Sequence, residues 1–98
     1  MTFEFHPEAR AEFLDATHYY EARSYLAGDR FVAAVRMAVD NILTDPQRWP
    51  MAGGNTRVIP LKKFPFRLYF SWDQNSQIVL ILAVMHEKRR PDYWRGRN

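Results

Sequence analysis

The chain contains no cysteine, which removes a disulfide framework, a thiolate zinc site and a cysteine nucleophile together. A reducing cytoplasm is the compartment this fits. Long apolar runs are absent too. The longest, Ile78 to Met85, is eight residues, against the roughly 20 that span a bilayer, and the N-terminus shows no basic segment leading into an apolar core. A cytoplasmic, unprocessed protein with no membrane contact is expected. The histidines His6, His18 and His86 lack metal-ligand spacing and no carboxylate cluster joins them, so no metal is expected. Glycines number only four. With neither Gly-x-Gly-x-x-Gly nor a phosphate loop among them, no cofactor is indicated, and Gly53-Gly54 reads as a turn. Ser24, Ser71 and Ser76 have no nucleophile-elbow setting, which argues against serine hydrolysis.

What is present suffices for one core. Ninety-eight residues, 47% hydrophobic and 15% aromatic, can offset the entropy of folding in a single domain, residues 1–98, and leave no chain for a second. Charge is unevenly placed. Residues 1–56 hold five arginines against eight acids, whereas residues 57–98 hold nine basic residues against Asp73, Glu87 and Asp92. Such a basic half suits an anionic partner, because clustered Lys and Arg raise the local potential and steer association; a solvated face reads equally well from charge alone.

The patterning predicts an α+β fold. Phe3-Glu4-Phe5 alternates like a strand but is too short to stand alone. Pro7 at a first helical position with Glu8 in the first turn starts a helix, and Ala9, Phe13, Ala16 and Tyr20 share one of its faces. That helix should reach about Tyr25, break at Leu26-Ala27-Gly28, and be followed by a second helix capped by Asp29, with Phe31, Val35, Ala38 and Ile42 on its apolar face. Asp45-Pro46 ends it. So short a turn implies an antiparallel helical hairpin. Residues 46–55 read as a surface loop, with Trp49 packing inward.

A three-stranded antiparallel sheet should follow, over about Thr56–Leu61, Phe66–Trp72 and Gln77–Met85, with the helices packed on one of its faces. Phe66, Leu68, Phe70 and Trp72 alternate with Arg67, Tyr69 and Ser71, which sends Arg67 to the other face. The last strand is apolar throughout and reads as central, with Phe3–Phe5 the candidate for its second neighbour. Pro60 places the Thr56–Leu61 strand at an edge. Pro91 and Trp94 suggest a short C-terminal turn or helical stub.

The candidate functional residues are therefore basic and aromatic: Arg57, Lys62, Lys63, Arg67, Arg89, Arg90, Tyr93 and Trp94 for binding a target or partner. If the chain is a metal-free ribonuclease, Arg67 and Arg89 would stabilise the developing phosphorane charge while His86 or Tyr93 moves a proton. The set is expected on one concave surface. Structural readings stand beside these: Tyr93 and Trp94 as a plug folded back on the sheet, and His86 satisfying a strand-end carbonyl.

Several stretches together resemble the RelE/ParE superfamily of toxins from type II toxin–antitoxin modules, in the ParE-like branch known for plasmid stabilisation. They are His6-Pro7-Glu8-Ala9, Tyr20-Glu21, the Asp45-Pro46 to Gly53 loop, Arg57, Phe64-Pro65-Phe66-Arg67-Leu68-Tyr69, and His86-x-x-Arg89-x-Pro91-x-Tyr93-Trp94. The resemblance implies a growth-inhibiting toxin neutralised by a cognate ParD-like antitoxin with an acidic C-terminal segment, the two forming a hetero-oligomer. It implies a macromolecular target, DNA gyrase by default, with ribosome-dependent mRNA cleavage of the RelE type as the alternative. Arg67 and Tyr93 match the ribonuclease pattern. Val58 and Pro60 stand where that pattern carries lysines, and Glu87 where it carries an arginine unless Arg89 takes the place.

Overall fold

In a computed structural model, which describes residues 1–90 and 92–97, the chain runs β1 (Thr2–Phe5), α1 (Pro7–Arg23), α2 (Tyr25–Thr44), a single 3-10 turn (Pro46–Arg48), β2 (Met51–Gly53), β3 (Thr56–Pro60), β4 (Phe66–Asp73) and β5 (Ile78–His86). The start of α1 follows from its first residues. Pro7 removes an amide that would have no helical partner, and His6 Nδ1 accepts the Glu8 N–H at 3.1 Å.

The break between the helices is not where glycine suggested. Ser24 alone is extended (φ −165°, ψ 145°): its N–H closes α1 on the Tyr20 carbonyl, and its Oγ accepts the Ala27 N–H at 3.0 Å to open α2. Leu26-Ala27-Gly28 and Asp29 lie inside α2. Gly28 is there for packing, since a Cβ on it would stand 2.4 Å from Glu21 Cγ of α1. The missing side chain lets the two helices approach.

The sheet is also larger than expected, with five strands in the order β1-β5-β4-β3-β2. It is mixed: β1 lies parallel to β5, from Thr2 beside Ile78 to Phe5 beside Ile81, and the other pairs are antiparallel. Thus β5 is central and Phe3–Phe5 is its second neighbour. β2 escapes the sequence pattern because three residues cannot show alternation, and Pro50 and Gly53-Gly54 around it read as loop. It hairpins onto β3 through Gly53 and Gly54, both at positive φ. β3 is therefore not the edge strand. Pro60 is tolerated because β2 pairs only at Thr56 and Arg57, so no neighbour needs the amide that proline lacks.

One sheet face and the helices enclose the main core. Phe31 and Ile42 of α2 meet Leu68 and Phe70 of β4 and Val79 and Ile81 of β5, all essentially buried, each such side chain contributing about 1.5–3 kcal/mol. Phe31 lies among the rings of Phe13, Tyr20, Phe64 and Phe66. Trp49 packs on the rim of this core. On the opposite face Tyr69, Leu82, Ala83 and Met85 form a second, smaller cluster under Trp94.

β5 is apolar throughout partly because both of its faces are covered and partly because it is bulged. The register with β4 slips between Tyr69, opposite Ala83, and Phe70, opposite Ile81, leaving Leu82 as the extra residue. Leu82 and Ala83 both join the second cluster, and alternation resumes with Val84 in the main core. Every later side chain has changed face relative to an unbroken strand.

Candidate functional site: the carboxyl end of the sheet

The bulge decides where the site residues go. Arg67 lies opposite Met85, whose side chain belongs to the second cluster, so Arg67 stands on the face away from the helices, exposed and without an ion pair or side-chain hydrogen bond among the described residues. His86 lies opposite Phe66, and its ring meets the Phe66 ring edge-on at 5.0 Å on the helix side. The shared concave surface expected for Arg67 and His86 does not form. His86 Nδ1 accepts the Lys88 N–H at 3.1 Å, so it caps the turn after β5 by accepting from an amide rather than by donating to a strand-end carbonyl.

Beyond that turn, the structure gathers Arg89 and Tyr93 around a residue the sequence did not single out. Glu12 of α1 faces the stretch of β5 that runs past the end of β1. Its carboxylate accepts the Val84 N–H at 3.0 Å, satisfying an edge amide that β1 is too short to reach. Arg97 grips the same carboxylate with both terminal nitrogens, at 3.0 and 3.1 Å, and also donates to the Leu82 carbonyl at 3.0 Å. Arg89 Nη1 adds a further bond at 3.1 Å. Glu8 lies 3.4 Å from Arg97 Nε. With side-chain exposures of 12% for Glu12 and 9% for Arg97, the pair is close to buried, and the bidentate geometry satisfies both partners.

Both guanidinium groups stand over the Tyr93 ring, Arg89 at 3.7 Å and Arg97 at 4.8 Å from its centre. Burial, reinforced by the Glu12 carboxylate, pushes its phenol well above the ordinary tyrosine value, with both arginines opposing. Its Oη has no hydrogen bond of proper geometry within the described structure. For Arg97, burial works against the charge, but the bonds to Glu12 outweigh it and the net shift is upward.

Trp94 is the plug that one reading foresaw. It is 4% exposed and stacks on Tyr69 at 4.8 Å. Arg95 reaches Gly53 of β2, where a Cβ would stand 2.8 Å from its guanidinium, so the turn over 92–96 lies across the second face of the sheet. Pro91, on which the expectation of a terminal turn partly rested, falls outside the described residues.

The remaining basic residues divide by role. Arg57 is spent on structure, donating to the Trp49 carbonyl at 2.7 Å and the Gln47 carbonyl at 3.2 Å and so fastening the 3-10 turn to β3. Lys62 and Lys63 are exposed on the β3–β4 turn, with Lys63 at φ +67°. Arg90 is exposed after β5. Among the described residues no three His, Asp or Glu side chains come together as metal ligands would, and no helix is long and apolar enough to cross a membrane.

A family model described as the ParE toxin of the type II toxin-antitoxin system, parDE, matches residues 3–91. The chain belongs to that family. No curated protein matches it. The matched span runs from β1 through the turn that follows β5, so the helical hairpin, the sheet and Arg89 all lie within the ParE toxin region. Tyr93, Trp94 and Arg97 lie after it. Membership of a type II system implies an antitoxin as partner. Glu12 and Arg97 were missed because their pairing joins positions 85 residues apart, and neither has a local pattern that distinguishes it from any exposed acid or base.

Proposed function

We propose that residues 1–98 form a single ParE-like toxin domain that acts in the cytoplasm by binding and inhibiting a macromolecular target, with DNA gyrase the first candidate. A cognate ParD-like antitoxin neutralises it in a toxin–antitoxin complex. Binding is favoured over ribonuclease chemistry by the separation of Arg67 from His86. Proton transfer and charge stabilisation in one displacement require groups within about 3 Å of the same reacting atoms, and these two side chains lie on opposite faces of the sheet. Tyr93 offers little as a base in its place, because its raised phenol keeps its proton. The exposed Arg67, Lys62, Lys63 and Arg90 suit an anionic macromolecular surface without any reacting centre.

The purified protein is to be incubated with gyrase and relaxed plasmid, and separately with a translating ribosome system followed by mapping of mRNA ends. Inhibited supercoiling with intact mRNA is the expected result. Discrete mRNA ends that vanish with Arg67→Ala would overturn it in favour of ribosome-dependent cleavage. Silence in both assays would leave a toxin fold that only pairs with its partner.

A further inference from the structure

β1 is an open edge of the sheet. Its bonds to β5 come from alternate residues: the Thr2 amide donates to the Gln77 carbonyl at 3.1 Å and the His6 amide to the Ile81 carbonyl at 2.9 Å. Because the N–H and C=O groups of successive strand residues point to opposite sides, Phe3 and Phe5 turn theirs away from β5. No strand lies there to take them up. Neither proline, lysine nor a bulge guards this edge, and shortness is its main protection.

Beside the edge, on the helix side, a cavity of about 320 Å³ opens between β1 and α2. Phe3, Phe5, Val32 and Val39 give it apolar walls, and Arg36 and Asp40 line it with them. Phe3 is 43% exposed. Arg36 and Asp40 are both exposed and stand one turn apart on α2, yet neither has an ion pair among the described residues. A patch with open strand amides, a half-exposed ring and one free charge of each sign is complementary to itself. A two-fold rotation can set each charge beside its opposite, and does so twice.

We propose that this edge is the interface between two copies of the free toxin. The β1 strands pair antiparallel about a two-fold axis, which joins both sheets into one, and Arg36 of each copy faces Asp40 of the other. The register follows from the strand itself. Only outward-facing residues can exchange hydrogen bonds, so Phe3 must oppose Phe3 or Phe5 of the second copy, or Phe5 must oppose Phe5. The last sets Phe3 against Pro7, which has no amide and begins α1. Phe3 against Phe5 sets Glu4 against Glu4, like charges in the closest kind of cross-strand pair. Phe3 against Phe3 sets Glu4 against Thr2 and avoids both conflicts. One short strand and one stripe of helix make a small interface, so the dimer dissociates on dilution. None of this depends on what the toxin inhibits.

Sedimentation equilibrium on the full chain alone, from about 1 μM to about 1 mM, should show monomer passing to dimer. Arg36→Glu or Asp40→Arg should each weaken the dimer about tenfold or more, because either change puts like charges together at two places. The two changes combined should restore it. Both positions are exposed, and circular dichroism checks that the variants stay folded. Since the chain has no cysteine, a single introduced thiol can report the contact. Two copies of Phe3→Cys, opposed with Cα atoms about 5.5 Å apart, should form a disulfide dimer under mild oxidation. Tyr25→Cys, at a position 79% exposed at the start of α2, should not. A monomer at every concentration, a dimer indifferent to the single charge changes, a double variant that fails to recover, or equal cross-linking through position 25 would each overturn the proposal.

Discussion

Glu12 shows how much can rest on one carboxylate. It serves an edge amide of β5 and two arginines at once, so its loss would strand Arg97 in a nearly buried position with only Glu8 and the Leu82 carbonyl. Glu12→Ala should cost about 3 kcal/mol in urea denaturation, the usual scale for breaking a close-to-buried pair. Glu12→Gln should cost less, because the amide oxygen can still accept from Val84. Asp73 supplies a pH-dependent counterpart. The Asn75 backbone N–H at 2.9 Å, and after it the Ser76 hydroxyl, hold its carboxyl below the ordinary aspartate value. A group whose folded value is depressed stabilises fully above its unfolded value and ceases to do so as the pH falls through the folded one. Asp73→Ala should therefore lower the melting temperature at neutral pH, with the difference from wild type closing in acid. At this scale the sequence was a partial guide. Trp94 announced itself as a plug by its aromatic bulk, whereas Arg57 looked like any other arginine of a basic half until its two carbonyl partners were in view. Composition reports that a donor exists and is silent on what already occupies it.

Among the elements, long periodic segments were readable and their junctions were not. The ends of β4 and β5 fall within one residue of expectation, since alternation over eight or nine positions averages out local exceptions. The junction of the helices was misplaced by a glycine whose role is contact with Glu21. Ser24 holds the junction, so Ser24→Ala should destabilise by about 1 kcal/mol, and hydrogen exchange should quicken at the Ala27 amide that loses its acceptor. The bulge at Leu82 was beyond reach for a plain reason: in a run where every residue is apolar, nothing marks the point at which the phase slips. That slip is also why Arg67 and His86, expected on one surface, are found apart.

At the level of the whole molecule, the two faces of the sheet are closed by different means, one by a helical hairpin and the other by a single turn carrying Trp94. Trp94→Ala should cost about 3 kcal/mol or somewhat more, measured by thermal unfolding, and should expose Tyr69 and Met85 to dye binding while leaving the helical signal largely intact. The α+β class was legible because helical and strand periods occupy separate parts of the chain; the parallel pairing of β1 was not, since four residues carry no information on direction. That pairing has a kinetic corollary. β1 leaves the ribosome first, yet its hydrogen-bonding neighbour is the last strand to be made. The helical hairpin can assemble from local contacts during synthesis, but the N-terminal strand must wait for β5, a high-contact-order step. Refolding experiments on the released chain should accordingly find helix forming ahead of β1 docking, and a nascent toxin stalled before Ile78 cannot yet own a finished sheet.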